Sequence, residues 1–150
     1  MKKVCLIILG LALMACAAKD GATTTTSTPA KSKSGVTEND LLHHRFVLKT
    51  YNGAEVKAVN FSKIPGIEFQ EGMRIGGVMC NNYNGPAKFE NGKLQATVAS
   101  TMMLCMDDIN RVEHAFFTAL REGADVKLSG NTLQLKHASD TFVFELDDYK

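Results

Sequence analysis

The chain has 150 residues, and its seventeen Lys and Arg against sixteen Asp and Glu give a formal charge of +1. That length points to one domain with one modest core. A charge so close to zero, with no basic run interleaved with aromatics, leaves nucleic acid without support as a partner.

The first residues have the pattern of an export signal. Lys2 and Lys3 form a positive start, and 4–15 is apolar apart from Cys5 and Gly10. The stretch falls short of the about 20 residues that span a hydrocarbon core, and it fits the apolar region of a signal peptide. Leu13, Ala15 and Cys16 then supply what a lipoprotein signal peptidase requires: an aliphatic residue, a small residue, and a thiol to carry diacylglycerol. Residues 1–15 are accordingly assigned to a signal peptide and Cys16 to lipid attachment, which makes a membrane the first expected partner. Two or more acyl chains give stable anchoring where one gives only marginal binding. Ala17, rather than Asp, follows the cysteine and points to the outer membrane, facing the periplasm.

Residues 17–36, AAKDGATTTTSTPAKSKSGV, hold no aromatic residue and almost no aliphatic one. Such a segment cannot bury enough apolar area to offset its ordering entropy. With Cys16 it reads as a tether over 16–36, with a root-mean-square reach of roughly 25 Å. The folded domain is placed at 37–150. Without Lys2 and Lys3 the charge becomes −1.

Within the domain, TENDLLH at 37–43 suggests a short cap or helical turn. Strands follow at 46–51, 67–70, 73–75, 87–89, 94–98, 126–128, 132–136 and 142–146, with turn signals at Asn52-Gly53, Glu90-Asn91-Gly92-Lys93 and Ser129-Gly130-Asn131. One segment changes period: Ile109, Val112, Phe116, Ala119 and Leu120 have helical spacing over 108–122. Asp107 or Asp108 is the expected N-cap, and Gly123 suits the left-handed C-terminal position. The expected fold is mainly β (α+β): a small antiparallel barrel or strongly curled sheet packed by one amphipathic helix, which covers the apolar face and limits free edges.

Cys5 leaves with the signal and Cys16 takes lipid, so Cys80 and Cys105 remain. In an oxidising compartment two such thiols are expected to pair. A zinc site and a reactive thiol are the alternatives, though neither cysteine belongs to a CxxC.

The run Gly77-Val78-Met79-Cys80-Asn81-Asn82-Tyr83-Asn84-Gly85, together with Thr101-Met102-Met103-Leu104-Cys105, resembles the META-domain family, in particular its heat-inducible HslJ-type lipoproteins. The likeness extends from Leu41 to the last strand. It implies a barrel-like fold with one helix and a link to envelope stress and novobiocin tolerance; it implies no established reaction. The long Thr/Ser-rich tether departs from the family pattern. Taken on their own, the residues suggest local structural work. Gly76 and Gly77 suit a bulge or a close backbone approach, Asn81, Asn84 and Gly85 suit turns, and Thr101 can satisfy backbone groups before the helix.

Little here points to catalysis. His43 and His44 are adjacent and do not chelate readily, while His114 and His137 are isolated. HExxH, CxxC and GxSxG are missing, and Asp107-Asp108 and Asp147-Asp148 read as helix-end and solvated carboxylates. No catalytic residue, metal ligand or cofactor is assigned. Met73, Met79, Met102, Met103 and Met106 are an unusual density, expected first as adaptable core filler. The functional alternative is a binding surface of Met79, Asn81, Asn82, Tyr83, Met102 and Met103, taking a periplasmic protein or a small apolar ligand. The expectation is a monomeric, non-enzymatic protein acting by binding, with a ligand-holding barrel as runner-up and an enzyme of unknown reaction third.

Overall fold

The structure, a computed structural model, describes residues 35–57 and 64–148. The signal peptide, Cys16 and nearly all of the tether assigned above lie outside the described residues. No helix among the described residues is long and apolar enough to cross a membrane.

A single 3₁₀ turn at Glu38–Asp40 opens the fold, and Asp40 caps it by accepting from the Thr37 N–H and hydroxyl at 2.8 and 2.7 Å. Those hydrogen bonds hold the Asp40 carboxyl below its ordinary pKa. Among the described residues ten strands and one α-helix follow: β1 Arg45–Tyr51, β2 Ala54–Glu55, β3 Gly66–Gln70, β4 Arg74–Val78, β5 Asn82–Glu90, β6 Lys93–Ala96, β7 Ala99–Ser100, α1 Asp107–Glu122, β8 Ala124–Ser129, β9 Thr132–His137 and β10 Asp140–Leu146. Eight of the strands close an antiparallel barrel in the order β1-β3-β4-β5-β6-β8-β9-β10, with β10 returning to β1. The short strands β2 and β7 add to β1 and β5.

The alternation of the strands explains the closure. In β10, Phe142 and Phe144 face inward, as do Phe46 and Leu48 in β1 and Leu133 and Leu135 in β9, and all six are buried. The interior is filled. Phe116 of the helix sits among Tyr83, Phe117, Phe142 and Phe144 with ring centroids 5.5–6.1 Å away, within the range where aromatic pairs attract. Tyr83 is wholly enclosed, its hydroxyl donating to the Gly66 carbonyl at 2.9 Å. Burial pushes its phenol well above the usual pKa.

Register sorts the connections to two ends. The turns at 71–73, 91–92 and 130–131 share one end with the segment before β1 and with Asp147 and Asp148. At the other end lie the 52–53 and 138–139 turns, the Cys80 turn and the helix. The helix runs across this end like a lid, from beside Cys80 to Gly123, whose carbonyl faces His137. The two ends are about 20 Å apart along β1, at about 3.3 Å per residue.

Several expectations need adjusting. Asn84 and Gly85 are not in a turn: they lie within β5, which starts at Asn82. Gly85 is required there by contact, since a Cβ would come 2.0 Å from the Thr97 carbonyl oxygen where the chain folds back over β5. The predicted strand over 94–98 stops at Ala96 for the same reason, and pairing resumes as β7. Neither Asp107 nor Asp108 caps the helix. Met106 holds the N-cap position in extended conformation with no side-chain cap, and both acids sit in the first turn against the positive end of the helix.

Candidate functional site

The two sequence motifs meet at the lidded end, where a disulfide joins Cys80 and Cys105 with Cα atoms 6.1 Å apart. The turn after β4 brings Cys80 to the segment that precedes α1.

Beneath the disulfide is a buried carboxylate that the sequence reading did not single out. Glu113 accepts from the Cys80 N–H at 3.1 Å, the Asn81 N–H at 2.7 Å and the Asn81 side-chain amide at 2.9 Å. A charge this deep is tolerated only when its acceptors are filled, and three donors fill them. The helical pattern carried the signal. Position 113 falls between Ile109 and Phe116 on the apolar stripe, four after one and three before the other, so a glutamate there must find partners inside.

Asn81 faces both ways. Its side-chain oxygen accepts from the Met103 N–H at 2.7 Å and from the Thr101 hydroxyl at 3.0 Å, and Thr101 in turn accepts from the Asn82 N–H at 3.1 Å. One buried amide is thus divided, its nitrogen donating to Glu113 and its oxygen holding 101–103 against the turn. Among the described residues no buried side-chain nitrogen or oxygen lacks a partner.

The six residues of the expected binding surface therefore separate. Met79, Asn81 and Tyr83 are buried and hold the site from within, whereas Asn82, Met102 and Met103 reach solvent. Exposure continues beyond them: Met102 is 97% exposed, Leu104 103% and Met106 74%, with Met103 at 49%. Core filling describes Met73 and Met79 and fails for these three methionines, because their loop lies outside the barrel wall. What results is an apolar loop over 102–106, pinned at Met103 by Asn81 and at Cys105 by the disulfide, with its large side chains in water. Ile64, two residues before β3 on the same end, is also exposed.

A cleft of about 400 Å³ opens beside the helix start, lined by Tyr51, Asn52, Glu55, Val56, Asp108 and Arg111 among others. Tyr51 donates to Asp140 at 2.6 Å, and burial, then that carboxylate, raises its pKa. Three of the four imidazoles each meet a carboxylate: His43 meets Glu71, His44 meets Asp148, and His137 meets Glu122. Among the described residues no three His, Cys, Asp or Glu converge to hold a metal.

A closed barrel lidded by one helix, with a Cys-Asn turn stapled to the loop that leads into that helix, is the architecture of a META domain. The META domain model matches residues 39–149, and the chain belongs to this family. It is 36% identical over 151 residues to Heat shock protein HslJ of Escherichia coli strain K12, across 99% of this chain and 98% of that protein. A solved NMR structure 40% identical to it covers 75% of this chain and 97% of its own, with a TM-score of 0.69. A second, from Burkholderia xenovorans, is 19% identical and covers 87% of this chain and 99% of its own; its TM-score of 0.61 shows the fold alone.

Proposed function

We propose that this is a lipid-anchored protein of the outer membrane, facing the periplasm, that serves envelope stress and novobiocin tolerance by binding rather than catalysis, with 102–106 as its docking loop. The observation that carries the binding mode is the pinned exposure of Met102, Leu104 and Met106. Large apolar side chains held in water by a buried network favour association, because the loop loses little freedom when it binds. The relative's name, a heat shock protein, supports the stress assignment.

The partner fits a stated chemistry. Asp107 and Asp108 follow the loop directly, and Asp108 is almost fully exposed. An apolar partner surface bordered by cationic side chains complements that arrangement. An anionic lipid face does not.

An ¹⁵N NMR titration with a basic amphipathic peptide tests this. Shifts confined to 101–108 are expected. Met102→Ser with Leu104→Ser should weaken the affinity by about tenfold or more, since each exposed side chain contributes about 1.5–3 kcal/mol when fully buried. A spectrum that does not move with the peptide overturns the docking loop. The same titration with novobiocin addresses a second reading, suggested by the cleft at Tyr51 and Arg111, whose volume suits a small ligand. Shifts at those residues would favour it. For the anchor, Cys16→Ser should move the protein from the membrane fraction to the soluble one, and unchanged fractionation would refute it.

A further inference from the structure

The five methionines among the described residues fall into two sets. Met73 and Met79 are 6% and 0% exposed, whereas Met102, Met103 and Met106 are 97%, 49% and 74% exposed. Cys80 and Cys105 are tied together, so no thiolate among the described residues competes as a faster sulfur nucleophile. Thioether oxidation follows access to the sulfur.

We propose that Met102, Met103 and Met106 form a methionine-oxidation site that switches the loop between an apolar and a polar state. The oxidant is a two-electron oxygen donor of the peroxide class. The Sδ lone pair attacks one peroxide oxygen of hydrogen peroxide; the S–O bond forms, the O–O bond breaks, and the leaving hydroxide takes the proton of the transferred oxygen and departs as water. Sulfur is oxidised by two electrons and the peroxide reduced by two. The product sulfoxide is polar and chiral, and a methionine sulfoxide reductase can restore the thioether.

The placement separates the chemistry from the fold. These side chains contribute to no core, since the loop is held by its backbone at Met103 and by Cys105. Oxidation therefore leaves Asn81, Glu113 and the barrel intact while removing three of the four exposed apolar groups of 102–106. The site itself is independent of what the loop binds. The switching rests on the docking loop proposed above.

Hydrogen peroxide applied to the folded chain, followed by peptide mass spectrometry over time, tests the site. Met102, Met103 and Met106 should gain oxygen about tenfold or more faster than Met73 and Met79, in line with exposure control; in denaturant the five rates should converge. Equal rates in the folded protein, or slower oxidation of the loop, would overturn it. The fully leucine-substituted loop (Met102→Leu, Met103→Leu, Met106→Leu) keeps its apolar character and cannot be oxidised. The unsubstituted protein should lose peptide binding after peroxide and the leucine variant should keep it. Undiminished binding by the oxidised unsubstituted loop would overturn the switch. If the unoxidised protein never bound the peptide, the docking loop fails and takes the switch with it, while the oxidation site still stands or falls on the mass spectra.

Discussion

The two ends of the barrel solve the same problem with opposite chemistry. At the open end the segment before β1 is tied to the chain terminus by exposed groups. His44 meets Asp148 at 2.7 Å, the Arg45 N–H donates to the same carboxylate at 3.1 Å, and the Arg45 guanidinium pairs with Asp147. At the lidded end a loop is tied to a turn by a buried amide, a buried carboxylate and a disulfide. Water competes for these polar contacts at the first end, where Val36 and Leu41 of the segment reach the core, and for almost none at the second. The first tolerates local opening; the second holds one geometry. Rigidity is concentrated where the exposed apolar side chains are, which suits a docking surface and would be superfluous on an inert cap.

The strongest way to break this contrast is Glu113→Ala. It orphans the Cys80 and Asn81 N–H groups and half of the Asn81 amide, and three hydrogen bonds to a charged acceptor predict a loss of about 4 kcal/mol, read by urea denaturation. A loss under 1 kcal/mol would mean that the lidded end is no more cooperative than the open one. Next is Cys80→Ala with Cys105→Ala. The two cysteines are 25 positions apart, and chain entropy predicts about 3 kcal/mol for a loop of that size. The barrel should persist while amide exchange speeds up across 101–106.

The smallest expected effect belongs to the open end. The Arg45 N–H, followed by His44, holds the Asp148 carboxyl below its ordinary pKa. A lowered folded-state pKa means stability that is fully present above the ordinary value of about 3.9 and lost as pH falls from there through the folded-state value. Asp148→Asn should therefore lower the melting midpoint slightly at neutral pH, and the gap to the unsubstituted protein should close below about pH 4. A gap that stayed constant down to pH 2 would remove the carboxylate from the account.

How much of this was legible beforehand follows the same division. Strand alternation and the stripe Ile109, Val112, Phe116, Ala119 and Leu120 revealed the barrel and the helix, because both patterns are local consequences of burial. The Asn52-Gly53 turn was readable too, since both residues take positive φ, 49° and 81°. Gly85 was misread because its constraint comes from Thr97, a neighbour brought in by the fold. The exposed methionines were misread for a related reason: an apolar residue without periodicity carries no indication of which side of the wall it occupies. Glu113 lay in plain view on the helical stripe, but its partners lie 32 and 33 positions away. The pairing of Cys80 with Cys105 was anticipated from compartment chemistry rather than from geometry.

The arrangement of the ends has a mechanical consequence. The chain enters the barrel at the start of β1, and β1 is hydrogen-bonded along its flanks to β3 and β10. Tension on the preceding segment pulls along the strand axis, across ladder bonds that lie perpendicular to it. Those bonds are loaded together in shear rather than opened one by one, and the load enters at the end away from the disulfide. On the anchored reading proposed above, a pull from that end leaves the loop at the opposite pole in shape.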